Sequence, residues 1–126
     1  MDIAIVGATG NVGRKIMEVL EKKSFSIDRL FLVASSKSAG AKLKFNNKDL
    51  NVESLEGFDF SKVDITFFSA GGKISEKYVP IAAKHSVAYF QLSLHHDNLA
   101  LHPLLLPLSG RHLFAWLVAA SHGLRP

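Results

Sequence analysis

Apolar and polar positions divide the chain into short segments of two different periods. Ile3-Ala4-Ile5-Val6 is a continuous apolar run, the pattern of a strand buried on both faces of a parallel sheet. Gly7, Gly10 and Gly13 follow at intervals of three. From Arg14 to Lys23 the period changes. Ile16, Met17 and Leu20 fall on one side and Arg14, Lys15, Glu18 and Glu21 on the other, which predicts an amphipathic helix. Lys22, Lys23 and Ser24 close it, and residues 25–28 form a loop. Leu30-Phe31-Leu32-Val33-Ala34 then reads as a second buried strand. Strand, helix, strand is the half-unit of a doubly wound sheet.

Beyond it, Leu43 and Phe45 face Leu50 and Val52 across Asn46-Asn47-Lys48. This predicts a small hairpin at the sheet edge, since asparagine tolerates left-handed turn geometry. Residues 53–63 read as a connector that tucks Phe58 and Phe60 under the sheet. Asp64 to Ser69 is a further buried strand. Ser69-Ala70-Gly71-Gly72 ends it, and Ile74 to Lys84 reads as a helix. Pro80 either kinks that helix or starts its second part.

A length of 126 residues implies one domain with room for a real core. It is short for a complete dinucleotide-dependent enzyme, which normally carries a second domain for its substrate. With no cysteine, the chain offers no disulfide, thiolate metal site or cysteine nucleophile. The formal charge of +4 comes from dispersed lysines. No basic run interleaved with aromatics occurs, so the excess suits an anionic small ligand as well as nucleic acid, and no nucleic-acid partner is assigned. No charged segment precedes an apolar one at the start, and no apolar run approaches the roughly 20 residues of a membrane span. The expectation is a cytoplasmic protein without membrane contact.

The glycine spacing carries the chemistry. Gly7 allows a sharp bend out of the strand. Gly10 lets the backbone approach a pyrophosphate, and Gly13 lets the helix pack closely on the strand. The first N–H groups of the helix lack internal partners and sit at the positive end of its dipole, so an anion is welcome there. The alternative is a glycine turn that merely joins strand to helix. After the second strand, where an NAD site carries an acidic residue for the ribose hydroxyls, the chain has Ser35-Ser36-Lys37-Ser38-Ala39-Gly40. A lysine and hydroxyls there suit a 2′-phosphate and favour NADP. The alternative is an ordinary polar turn. Ala70 and Gly71 lie where ligands dock in open α/β sheets, or else form a tight turn.

Val6-Gly-Ala-Thr-Gly-Asn-Val-Gly13, Ala34-Ser-Ser-Lys-Ser-Ala-Gly40, Phe68-Ser-Ala-Gly-Gly72, Ile74-Ser-Glu-Lys-Tyr78 and Ile81-Ala-Ala83 resemble, in order and spacing, the N-terminal cofactor domain of bacterial aspartate-semialdehyde dehydrogenases. The resemblance covers residues 1 to about 87. It implies a Rossmann-like, NADP-dependent oxidoreductase that reductively dephosphorylates β-aspartyl phosphate to aspartate semialdehyde, on the path to lysine, threonine and methionine. By the same resemblance Gly7, Thr9, Gly10, Asn11, Val12 and Gly13 would line the pyrophosphate. Ser35, Lys37 and Ser38 would hold the 2′-phosphate, with lysine standing where the family often has arginine. Ala70 and Gly71 would lie along the cofactor, near its adenosine or nicotinamide end. The family enzyme is a dimer; assembly of this chain stays open, because family dimer contacts come largely from the second domain.

Past Val87 the resemblance stops. Asp97-Asn98 occurs, but Leu99 and Ala100 follow where the family has hydroxyl residues, and no Phe-Arg comes after. From Ala88 onward lysine and glutamate vanish, and five histidines appear among many leucines: His95, His96, His102, His112 and His122. The expectation is a cofactor domain over 1–90 and an irregular tail over 91–126, read from a shifted frame or otherwise non-homologous, with a late helix around Leu113–Ala120. The histidines fit no zinc spacing, so no metal is assigned. Ser109 lacks the flanking glycine of a nucleophile elbow, so no catalytic residue is assigned. The fold class is α/β with a mainly parallel sheet. Two further readings remain: an NADP-sensing module without chemistry, and a non-functional remnant.

Overall fold

The computed structural model describes residues 1–23, 26–85, 88–95 and 98–101. Strands β1 (Asp2–Val6), β2 (Arg29–Ala34), β3 (Lys42–Phe45), β4 (Lys48–Ser54), β5 (Ile65–Phe68), β6 (Ala88–His95) and β7 (Asn98–Leu101) form one sheet. Helices α1 (Asn11–Lys22) and α2 (Gly72–Lys84) follow β1 and β5. The strand order is β3-β4-β2-β1-β5-β6-β7. β1 pairs in parallel with both β2 and β5, and the parallel set continues through β4 on one side and β6 on the other. The chain therefore reverses its direction of travel across the sheet between β1 and β5, which is the switch point of a doubly wound fold. The mainly parallel α/β architecture expected from the sequence is the one observed.

Because β1 is the central strand, its apolar run is buried on both faces. Ile3 and Ile5 join Ile16, Met17, Leu20, Leu32 and Phe67 in the core beneath α1. Val6 points the other way, into a core with Val33, Phe60, Phe68, Tyr78, Val79 and Ala82 beneath α2. The connector between β4 and β5 does pack under the sheet. Phe60 is buried, and Phe58 meets both Phe31 and Phe60 edge-on, at 5.8 and 5.1 Å. α2 runs unbroken through Pro80.

Several boundaries move. α1 begins at Asn11 rather than Arg14, and α2 at Gly72 rather than Ile74. In both cases the glycine-rich segment itself supplies the first turn. The hairpin turns on Asn46 and Asn47 alone, at φ 50° and 64°, a two-residue geometry in which both residues are left-handed. Leu43 pairs with Leu50 as expected, but Phe45 pairs with Lys48. Val52 instead pairs with Leu32, which draws β4 into the parallel sheet.

One expectation is overturned. Residues 91–95 and 98–101, expected to be irregular, continue the sheet. β6 extends to His95 beside β5, and β7 returns antiparallel from Asn98, with His95 opposite Asn98 and Leu92 opposite Leu101. The period-2 alternation Phe90-Gln91-Leu92-Ser93-Leu94-His95 is a strand signal that the loss of family motifs obscured. The helix expected at 113–120 lies outside the described residues.

At the far end of β1, Arg29 Nη2 meets Asp2 Oδ2 at 2.9 Å. This hydrogen bond holds the Asp2 carboxyl below its ordinary range. The N-terminal ammonium pairs with Asp28, which raises the ammonium. These contacts are exposed and contribute little to stability.

Thr66, at the centre of β5, is fully buried, and its hydroxyl finds no partner among the described residues. An unmade buried hydrogen bond is a standing cost, and valine has nearly the same shape. Thr66→Val is therefore expected to raise unfolding stability by about 1 kcal/mol, read as a higher urea midpoint with an unchanged slope.

Candidate nucleotide-binding site

Three segments meet at the carboxyl ends of the adjacent strands β2, β1 and β5. The loop 7–13 leaves β1, the turn 35–40 leaves β2, and Ser69 to Gly71 leave β5. Backbone bonds lock them at one level. The Gly7 N–H donates to the Val33 carbonyl at 2.8 Å, and the Ser69 N–H to the Val6 carbonyl at 2.9 Å.

The three loop glycines are there for different reasons. Gly7 has φ +87°, and a Cβ on it would lie 2.9 Å from Ser69 Oγ and 3.0 Å from the Ala70 nitrogen. A Cβ on Gly13 would lie 2.3 Å from the Gly7 carbonyl oxygen and 2.7 Å from Ala8 Cα. That is a backbone collision which fixes how closely α1 approaches β1. Gly10 is different. It caps α1 with φ −81° and ψ 173°, a conformation open to any residue, and the nearest atom to its added Cβ is the Gly7 oxygen at an ordinary 3.5 Å. No contact among the described residues requires glycine at that position.

Above Gly10, the start of α1 has no side-chain cap and no acidic residue in its first turn. Its leading N–H groups lack intrahelical acceptors by geometry. Thr9 is half-exposed and Asn11 exposed, beside that turn. Val12 packs its side chain on the core, so only its backbone is available. Gly13 is buried and shapes the loop from beneath.

On the β2 side, the Ser38 N–H donates to the Ser35 carbonyl at 2.9 Å, and the Gly40 N–H to Val52 at 2.8 Å. The resulting turn holds Ser35 and Lys37 exposed and Ser38 half-exposed, next to the strand end that receives Gly7. On the β5 side, Ala70 and Gly71 are exposed. Gly71 caps α2 with φ +93° and open space around it. The eleven residues singled out in the sequence thus gather along one edge, at the carboxyl ends of β2, β1 and β5.

Sequence reasoning passed over Ser69. Its hydroxyl donates to the Val6 carbonyl at 2.8 Å and lies 3.4 Å from the Gly7 carbonyl. A serine at a strand end carries no signal of its own; the contact exists only because β1 and β5 are neighbours. The described residues contain no group of three or more His, Cys, Asp or Glu side chains placed to hold a metal. His96, Asp97, His102, Ser109, His112, Ser121 and His122 lie outside the described residues.

The family model for the semialdehyde dehydrogenase NAD-binding domain matches residues 2–112. The chain belongs to this family. The match runs past residue 87, where the motif-level resemblance ends, and takes in β6 and β7. Aspartate-semialdehyde dehydrogenase 2 of Vibrio cholerae is 46% identical over 94 residues, covering 75% of this chain and 28% of that protein. A crystal structure of aspartate semialdehyde dehydrogenase II from Vibrio cholerae, complexed with ASA, matches with a TM-score of 0.70 at 47% identity over 71% of this chain and 29% of that one. The Candida albicans aspartate semialdehyde dehydrogenase solved with NADP shares the fold, with a TM-score of 0.55 at 21% identity over 71% of this chain and 28% of that one. The chain spans less than a third of the length of these relatives. As a semialdehyde dehydrogenase NAD-binding domain, it has a site whose ligand class is a nicotinamide dinucleotide.

Proposed function

We propose that the chain binds NADP as the cofactor unit of the aspartate-semialdehyde dehydrogenase reaction, and does not carry out that reaction by itself. The observation behind the reading is Gly10. It is the one loop glycine with no internal reason to be glycine, and it stands under the uncapped start of α1. A diphosphate seated there would fill the space that a side chain would take, and would accept from the N–H groups of Asn11, Val12 and Gly13. Thr9 and Asn11 offer further polar contacts at the rim.

Ser35, Lys37 and Ser38 read the 2′-phosphate in this proposal. The turn Ser35 to Gly40 that leaves β2 carries no carboxylate to repel it, and an ammonium with two hydroxyls is available to hold it. Ala70 and Gly71 leave room for the cofactor to pass close to the backbone. Bound NADPH would supply a hydride. The family reaction, reductive dephosphorylation of β-aspartyl phosphate on the way to lysine, threonine and methionine, also needs a nucleophile to hold the acyl group. The chain has no cysteine to serve as that nucleophile, which favours a role limited to binding. We place it in the cytoplasm with its cofactor.

A thermal-shift titration with NADP and NAD tests the reading. A ligand that binds only the folded state stabilises it by RT ln(1 + [L]/Kd), about 2.7 kcal/mol at 100 times Kd. A clear rise with NADP and a small one with NAD is expected. A flat response to both removes the proposal.

A further inference from the structure

We propose that Ser69 is a positioning residue for the cofactor's diphosphate, acting on the glycine loop from the neighbouring strand. The inference rests on the NADP-binding reading and adds to it a residue that never touches the ligand.

The Gly7 carbonyl is where the loop converges. It accepts the Gly10 N–H at 3.1 Å. It is the atom that excludes a Cβ from Gly13, at 2.3 Å, and the nearest neighbour of the space above Gly10, at 3.5 Å. The orientation of the Gly7–Ala8 peptide therefore sets both the start of α1 and the floor of the diphosphate site. A glycine at φ +87° does not hold that orientation unaided, because glycine has the broadest choice of backbone conformations.

Backbone bonds hold part of that orientation, the Ala8 N–H donating to the Val33 carbonyl at 3.3 Å, and Ser69 adds a restraint from the end of β5, one peptide upstream. Its N–H and its hydroxyl both donate to the Val6 carbonyl, at 2.9 and 2.8 Å. The hydroxyl oxygen also stands 3.4 Å from the Gly7 carbonyl and 2.9 Å from the position of a Gly7 Cβ. The side chain fills the space that Gly7 leaves, and it fixes the peptide before that residue. Alanine at position 69 would keep the backbone bonds but would remove the side chain packed against Gly7, and so loosen the loop.

The test compares wild type, Ser69→Ala and Ser69→Thr with three probes: NADP, ADP and 2′-AMP. ADP carries the diphosphate without the 2′-phosphate, and 2′-AMP carries the 2′-phosphate without the diphosphate. Ser69→Ala is expected to weaken NADP and ADP by roughly 3- to 10-fold, the range for one neutral hydrogen bond. It should leave 2′-AMP unchanged, and Ser69→Thr should restore both losses. In the ligand-free protein, Ser69→Ala should also speed hydrogen exchange at the Gly10 amide more than at amides within β1 and β5.

An equal loss across all three probes would mean a general structural role and would overturn the proposal, as would no loss at all. A failure of Ser69→Thr to restore binding in a folded protein would count against the hydroxyl. Should wild type ignore NADP, the functional reading falls and takes this inference with it. Selective loss of the Ser69 effect, with wild-type binding intact, overturns this inference alone.

Discussion

Gly13→Ala is expected to destabilise the domain by about 3 kcal/mol, the upper part of the usual range for overpacking. Two effects oppose each other at that position. Gly13 lies inside α1, where alanine gains up to about 1 kcal/mol of helix propensity. Against this, the new Cβ meets the Gly7 oxygen at 2.3 Å and two atoms of Ala8 within 3 Å. All three are backbone atoms held between β1 and α1, so none can rotate away. The collision outweighs the propensity, and nucleotide binding should be lost with the loop geometry. Gly10→Ala is the matched control. It should leave the urea midpoint nearly unchanged, because its nearest contact is an ordinary 3.5 Å, while abolishing the NADP-induced shift. Equal midpoints for the two variants would mean that α1 does not sit on the loop as described.

Lys37→Glu should lower NADP affinity by at least about 10-fold, the low end for a hydrogen bond to a charged group. The low end is the right one because Lys37 is exposed and salt screens its charge. The substitution replaces attraction for a 2′-phosphate with repulsion, so the loss should shrink as salt rises. NAD, with hydroxyls in place of the phosphate, should bind no more weakly than it does to wild type. Isothermal titration with the two nucleotides at two salt concentrations measures all of this. An NADP affinity within about twofold of wild type would remove Lys37 from the site, since charged contacts of this kind exceed that range.

The central part of the molecule was legible because the signals there are local. Ile3 to Val6 is apolar on both sides of the chain and proves to be the middle strand. The positive-φ turn at Asn46-Asn47 follows from what asparagine tolerates. Gly7 and Gly13 follow from the loop pattern. What escaped was of two kinds. The capping turns of α1 and α2 are glycine-rich and carry little helix propensity, so both helices read as starting late. The role of Ser69 depends on which strands become neighbours, and no window of sequence holds residues 6 and 69 together. β6 and β7 were lost for another reason. Their alternation is present in the sequence, but it stands beyond the last family motif, beside a Leu- and His-rich stretch that carries no signal for the sheet.

The central place of β1 has a consequence for synthesis on the ribosome. Ile3 pairs with Leu30 on one edge and with Ile65 on the other. Translation delivers the second partner 62 positions after Ile3, which at about 5–20 residues per second is a wait of roughly 3–12 s. Throughout that interval the central strand of the sheet has at least one open edge. Nascent chains stalled before residue 65 should therefore be the species most readily captured by chaperones, and those stalled well past residue 68 much less so.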